Sequence, residues 1–318
     1  MDRTELLGNI RETLTKAGFY VSDLCIIRPI GFDLVARRDN SLLIIKVLTN
    51  IDALSEDVAK ELRVLSILLR GSPILIGERS GMGFLEDDVV YDRFGIQTIT
   101  PGSLRDYLLE GTPLKAYAAP GGLYVNLDRE KLKKLRQEQN ISLGSFARYV
   151  RVSRRTASMY EGGMNARVDV ASRIEELLGS PVTTSIDILK PSLSDKKETA
   201  SFRGETEHLR DFQMEIFSIL ESVGYKIIPM ERGPFEALSK NKERILLTCV
   251  HKYDKKIIKK AQIVSSISKI TERYAVLFTD KEVNKKNIEG TPLIAKKELK
   301  KIRGPEEILD LIIERIND

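Results

Sequence analysis

Two stretches of the chain run in step. "GFDLVARRDNSLLIIKVLT" (31–49) aligns with "PFEALSKNKERILLTCVHK" (234–252) without a gap. The match extends on both sides. "IRETLTKAGFYVS" (10–22) pairs with "IFSILESVGYKII" (216–228), each giving a helix, a glycine, an aromatic and a strand. "PILIGERS" (73–80) pairs with "AVLFTDKE" (275–282), and "QTITPGSLRDYL" (97–108) with "PLIAKKELKKI" (292–302). Few residues are identical, but the apolar positions coincide. A chain so patterned is expected to fold as two related α/β domains flanking a middle segment. The alternative is that two α-β-β-β patterns resemble one another by coincidence.

Composition narrows the function. The 318 residues allow two or three domains. Cys25 and Cys249 are too few and too far apart for a disulfide framework, and each lies among apolar residues, which points to buried thiols in a reducing compartment. With only His208 and His251, no His/Cys cluster has metal-ligand spacing, so neither a metal nor a cofactor is expected. No apolar run approaches the ~20 residues that span a bilayer. "MDRTELLGNIRETL" lacks the basic head and apolar core of a signal peptide, and the expected location is the cytoplasm, with no membrane contact.

The net charge of +5 is concentrated. Residues 129–179 hold eleven Lys/Arg against six Asp/Glu, while the remainder carries 40 of each. A focused basic patch is the footprint of a polyanion partner such as double-stranded DNA; the alternative is a chance cluster on a solvated face.

Periodicity predicts a helix over 2–17, strands over "GFYVSDLCIIR", "FDLVARRD" and "SLLIIKVL", a helix over 52–70, strands at "PILIGE" and "GIQTIT", and a short helix at "GSLRDYLLEG". The first α/β domain is expected to span 1–115. Residues 116–185 follow as a helical domain preceded by a hairpin around Pro120-Gly121-Gly122. The polar stretch 186–206 reads as a linker, and 207–318 as the second α/β domain.

Within the helical domain, a first helix over about 129–139 turns Leu132 and Leu135 inward. "ISLGSFARYV" opens with Ser142, a good N-cap, and puts Phe146, Ala147 and Val150 on one face. A tight turn at Arg151-Val152 leads to Ser153, another cap, and a helix ending at Gly162-Gly163. A last helix, about 168–178, carries Val170, Ile174, Leu177 and Leu178. Two short helices joined by a tight turn form a helix-turn-helix. Ala157 and Tyr160 fall on the core side of its second helix. Arg154, Arg155, Ser158 and Met159 face outward. Arg148, Lys133 and Lys134 are further basic candidates for DNA contact.

These residues resemble the Cro/C1-type (Xre-like) helix-turn-helix. Leu135-Arg136, Ala147, Val152-Ser153, Thr156, Tyr160-Glu161 and Gly162 match its pattern. The resemblance implies that Arg154, Arg155 and Met159 read bases and that Ser153 touches phosphate. Leu143 departs from the family, which commonly has a phosphate-binding Gln there. "SLGSFARYVRVSRRTASMYEGG" is also similar to archaeal helix-turn-helix transcriptional regulators.

"GFDLVARRDNSLLIIKV" in turn resembles restriction-endonuclease-like folds, where an Asp ends one strand and Glu-x-Lys lies on the next. Asp33 and Lys46 occupy the outer places, but Ile44 stands where the Glu belongs. In the second copy Glu236 aligns with Asp33, while Leu247 and Cys249 replace the Glu and Lys. One carboxylate beside an apolar residue makes a poor Mg²⁺ site, so both domains read as degenerate, with Asp33 and Lys46 a strand-edge ion pair.

The expected fold class is thus α/β plus all-α: two related restriction-endonuclease-like α/β domains flanking a Cro/C1-type bundle. The expected function is a sequence-specific DNA-binding transcription regulator, not an enzyme, acting as a homodimer with its recognition helix at about 153–161. An effector, small molecule or protein, is left open. The alternatives are a nucleic-acid-processing enzyme, opposed by the missing carboxylates, and a protein-interaction scaffold, opposed by the focused charge. "GERSGMG" (77–83) lacks the Lys-Ser/Thr of a phosphate loop. "DKKIIKKAQ" (254–262) sets Lys255, Lys256, Lys259 and Lys260 along one helix side, read as a solvated face, with contact to DNA phosphates as the alternative.

Overall fold

A computed structural model describes residues 2–190, 211–242 and 244–316. They form two compact units, one drawn from 1–13, 48–53 and 75–188, the other from 14–47, 54–74 and 189–318.

The first α/β segment contains α1 (Arg3–Lys16), β1 (Tyr20–Val21), β2 (Leu34–Arg38), β3 (Ser41–Asn50), α2 (Glu56–Leu69), β4 (Ser72–Ser80), β5 (Gly83–Phe84), β6 (Val89–Arg93), β7 (Ile96–Ile99) and α3 (Pro101–Arg105). β2 and β3 pair antiparallel with Leu34 opposite Ile45. Leu34–Ala36 of β2 and Leu42–Val47 of β3 are buried, a run covered on two faces, while the strand ends that carry Arg37, Arg38, Thr49 and Asn50 are only partly covered. α2 starts at Ser55, whose side chain accepts from Val58 N at 3.4 Å. It stops at Arg70, which turns left-handed at φ 59°.

Two expectations fail here. The strand foreseen over 18–28 pairs only at Tyr20–Val21. Beyond it the backbone leaves the ladder, and Ser22 N and Cys25 N make separate bonds to Val35 O and Asp33 O, at 2.9 and 2.8 Å. Conversely, β6 has no counterpart in the sequence reading. It pairs antiparallel with β7 across Phe94-Gly95, both at positive φ (52° and 76°). Such a turn normally announces itself with Asn or Asp in the first place, and Phe94 conceals it.

The middle segment holds β8 (Ala116–Ala119), β9 (Gly122–Leu127), α4 (Arg129–Glu138), α5 (Leu143–Tyr149), α6 (Arg154–Glu161), β10 (Ala166–Arg167), α7 (Val168–Leu178) and β11 (Thr183–Thr184). β8 and β9 form the hairpin expected at Gly121-Gly122, and β10 and β11 each add antiparallel to β9. The linker does not begin at 186. Ile186 N donates to Leu114 O at 2.7 Å and Ile188 is fully buried. These two apolar residues hold the chain down within a stretch whose average is polar. The rest of the expected linker, 191–206, and residues 207–210 with His208 lie outside the described residues.

The last segment comprises α8 (Asp211–Ser222), β12 (Lys226–Pro229), β13 (Ala237–Asn241), β14 (Arg244–Val250), α9 (Lys256–Thr271), β15 (Tyr274–Thr279), β16 (Asn287–Ile288), β17 (Thr291–Ala295), α10 (Lys296–Leu299) and α11 (Pro305–Ile316). Its sheet runs β12-β13-β14-β15-β17-β16, with β14, β15 and β17 parallel. Ala237 lies opposite Thr248, the place that Leu34 and Ile45 hold in β2 and β3. Ile216, Leu220, Val276, Phe278, Ile294, Ile308 and Ile312 pack into its core. Lys260 is not on the solvated side expected for α9. It is buried and paired with Glu236, while Lys255, Lys256 and Lys259 are exposed.

Candidate nucleic-acid interface

Local chemistry builds this site. Asp128, Ser142 and Ser153 each cap a helix, their side chains accepting from the backbone N of Lys131, Ser145 and Thr156 at 3.0, 3.1 and 3.0 Å. A cap of this kind contributes about 1 kcal/mol. α5 ends where Arg151 turns left-handed at φ 60°. There Arg151 N reaches Arg148 O (3.3 Å) and Val152 N reaches Ala147 O (2.9 Å). This is a Schellman stop with arginine in the usual glycine position. It reverses the chain in two residues and aims Ser153 at the start of α6.

Packing fixes the orientation. Leu132, Phe146, Ala147, Val150, Ala157, Tyr160, Val170, Ile174 and Leu178 are buried in one cluster, with Leu135, Leu143, Val152 and Leu177 packed against it. Ala157 and Tyr160 spend the inner face of α6 on this core. Arg154, Arg155, Ser158 and Met159 therefore emerge together on the outer face, all exposed. Ser153, Arg148, Lys133 and Lys134 are exposed as well. Among the described residues, the side chains of Arg154, Arg155 and Arg148 have no hydrogen-bond or ion-pair partner. Lys134 lies 3.8 Å from Glu138. Ser153 Oγ accepts the cap bond from Thr156 N and lies 2.8 Å from Thr156 Oγ1. Leu143, placed where a phosphate-binding Gln is common, supports the core instead.

Three acidic residues of the block, Glu161, Glu175 and Asp169, are turned to structural use, while Glu130 and Glu138 lie beside Arg129 and Lys134. Glu161 takes Arg136 in a two-pronged ion pair, both side chains only 13% exposed. Arg136 Nη1 also reaches Ile141 O at 2.6 Å. Glu175 collects Val182 N, Thr183 N and Thr183 Oγ1 at 2.8 to 3.0 Å. Burial would raise its carboxyl pKa, but these three bonds outweigh burial and hold it below the ordinary 4.5. Asp169 holds Arg173, whose Nε donates to Val150 O at 3.1 Å. Sequence reasoning found the outward residues and missed this clamp, although the matched pairs Leu135-Arg136 and Tyr160-Glu161 were its signal. It also missed the attachment of the hairpin. Tyr117 and Tyr124 stack at 6.1 Å, and Asn165, just beyond α6, donates to Tyr117 Oη at 2.6 Å.

The nuclease-like positions are organised differently. Asp33 and Lys46 are buried, with Nζ 3.9 Å from Oδ2, so their pairing is internal and not at a strand edge. Asp33 Oδ2 also accepts Val47 N at 2.7 Å, and Lys46 Nζ donates to Ile30 O at 2.8 Å. Ile44 is fully buried. Metal-assisted hydrolysis needs converging carboxylates. Among the described residues no three His, Cys, Asp or Glu converge. Asp33 Oδ2 is engaged by the backbone and lies beside a lysine.

Glu236 repeats part of this pattern. Its Oε2 accepts Val250 N at 2.7 Å and its Oε1 takes Lys260, which arrives from α9. The two positions meet within one compact unit. Phe32 and Phe235 lie 6.5 Å apart, and Gly31 N donates to Arg232 O at 2.8 Å. A Cβ on Gly31 would sit 2.3 Å from that carbonyl, so glycine is required there. Buried Glu61 accepts from Arg232 N at 2.9 Å. Burial pushes its pKa up, against the pull of Arg232.

Two family models match parts of the chain. A PD-(D/E)XK superfamily domain matches residues 3–114, and a helix-turn-helix matches residues 132–184. The helix-turn-helix-type transcriptional regulatory protein of Methanosarcina barkeri is 40% identical over 320 residues, 99% of this chain and 98% of its own. That of Methanocella arvoryzae is 36% identical over 315 residues, and that of Haloquadratum walsbyi 37% over 325, each covering 99% of this chain. They cover 97% and 98% of the relatives' own lengths. No solved structure matches. Among the described residues no helix is long and apolar enough to cross a membrane.

Proposed function

The chain belongs to the archaeal family of helix-turn-helix-type transcriptional regulatory proteins, and we propose that it reads specific DNA sequences by laying α6 in the major groove. One observation carries this reading. Arg154 and Arg155 stand exposed, and unpaired among the described residues, at the N-terminal end of a helix whose other face is locked into a core. A guanidinium fork is the commonest specific partner of guanine O6/N7. Arg154, Arg155, Ser158 and Met159 address base edges. Ser153, Arg148, Lys133 and Lys134 address phosphates.

A single recognition helix reads few base pairs. The working form is a homodimer on an inverted repeat, its half-site centres about 34 Å apart. Light scattering that finds a monomer on such DNA overturns the dimer and leaves the recognition helix standing.

The PD-(D/E)XK-like domain serves in this reading as a scaffold without catalysis, because Asp33 and Lys46 satisfy one another where a metal would bind. The segment from 211 onward is its sister domain, a relation supported by the shared strand register and by the matching bonds from Val47 N to Asp33 and Val250 N to Glu236. The protein acts on DNA in the cytoplasm. The experiment is selection of bound fragments from sheared genomic DNA. A shared inverted motif is expected; fragments enriched without any common motif overturn sequence-specific regulation.

A further inference from the structure

Residues 281–303 hold eight Lys/Arg against three Glu, a second basic concentration that the helix-turn-helix does not use. The fold gathers it at one edge. β15 and β17 run parallel and end side by side at Thr279 and Ala295. In sheets of this kind, ligands enter the crevice beyond the carboxyl ends of the strands. A cleft of about 290 Å³ opens there, and Lys281, Lys285 and Lys301 line it together with Thr279, Glu282 and Glu298.

The acids around this cleft are already engaged. Glu298 takes both prongs of Arg315, Glu314 pairs with Lys286 at 3.0 Å, and Glu282 lies 3.7 Å from Lys297. Lys281 has Asp280 beside it, a carboxylate that accepts Tyr253 N at 2.9 Å. Lys285 and Lys301 have no ion-pair partner among the described residues. Arg315 Nε, in the same wall, is buried without an acceptor among them.

We propose that this cleft binds a phosphate-bearing anion, with Lys281, Lys285 and Lys301 as its donors. Several lysines lining one concavity call for a ligand with several negative oxygens. Its volume, at the small end of the ~300–1,000 Å³ ligand-pocket range, suits a short polyphosphate. Two sources share that chemistry, a free polyphosphate or nucleotide and the backbone of a nucleic acid.

The experiment uses the full chain and two probes, inorganic tripolyphosphate by calorimetry and a random-sequence DNA duplex across a salt series. The variant is Lys285→Glu/Lys301→Glu. The control, Lys226→Glu/Lys269→Glu, makes the same charge change at residues that do not line the cleft. If the source is free phosphate, tripolyphosphate binds and the cleft variant weakens it at least tenfold while the control does not. If the source is nucleic acid, tripolyphosphate does not bind, and the cleft variant alone lowers the salt slope on DNA by about two. Cleft and control variants that behave alike with both probes overturn the proposal. Far-ultraviolet circular dichroism of both variants separates loss of binding from loss of fold.

Discussion

Arg136, near the end of α4, and Glu161, the last residue of α6, hold one another by two parallel bonds in a nearly dry seam. The pair ties the C-terminal ends of two helices together and so sets the direction in which α6 projects. Removing one partner leaves a charge without compensation. Glu161→Leu is expected to cost about 3 kcal/mol, and Arg136→Met/Glu161→Leu to recover most of it, because a packed apolar pair avoids the desolvation cost. Urea titration of the three proteins checks this. A double variant no more stable than the single one means that the pair does not govern stability here.

Arg154→Ala and Arg155→Ala should each cost ~1–3 kcal/mol of discrimination between the right and wrong base pair. Lys133→Ala should weaken all sequences alike and lower the salt slope by about one. A gel-shift series on the selected motif and its point variants separates the two behaviours. If the arginine variants keep full sequence preference, α6 is not the reading helix.

Asp33→Ala should lower stability by about 3 kcal/mol, since it leaves Lys46 buried without its counter-charge. It should change no cleavage activity, because none is expected. The check is nicking of supercoiled plasmid with Mg²⁺ or Mn²⁺, run on both proteins. Metal-dependent nicking that the substitution abolishes would show an active nuclease.

Glu175 gives the helix-turn-helix domain a pH dependence. Its folded pKa lies below 4.5, its ordinary value, because its bonds to the 182–183 backbone and the Thr183 hydroxyl favour the carboxylate over the acid that burial favours. A depressed folded pKa means that the unfolded chain takes up the proton first. The stabilisation is therefore complete well above pH 4.5 and is lost as pH falls through the lower folded value. Glu175→Gln should be less stable than the native protein at pH 7, and the difference should shrink in acid. Thermal melts at pH 7 and pH 3.5 measure it; a difference that stays constant refutes the assignment.

Much of the helix-turn-helix was legible in the sequence because its determinants are local. Ser142 and Ser153 cap the helices that follow them within three residues, and the spacing of Ala157 and Tyr160 decides which face of α6 goes inward. Once that face is assigned, Arg154 and Arg155 have only the outside left. The strands β2 and β3 were equally local, since two apolar runs flank a short polar turn at Asp39-Asn40. Tertiary structure decided what depended on distant partners. Lys260 carries the pattern of a solvated helix residue, yet it turns inward because Glu236, 24 residues away, waits there as a buried carboxylate. Glu61 meets Arg232 across 171 residues. Asp33 and Lys46 read as a strand-edge pair until packing enclosed them. A charge cannot be buried alone, so its placement depends on the partner that packing delivers, and periodicity along one strand or helix carries no record of that partner.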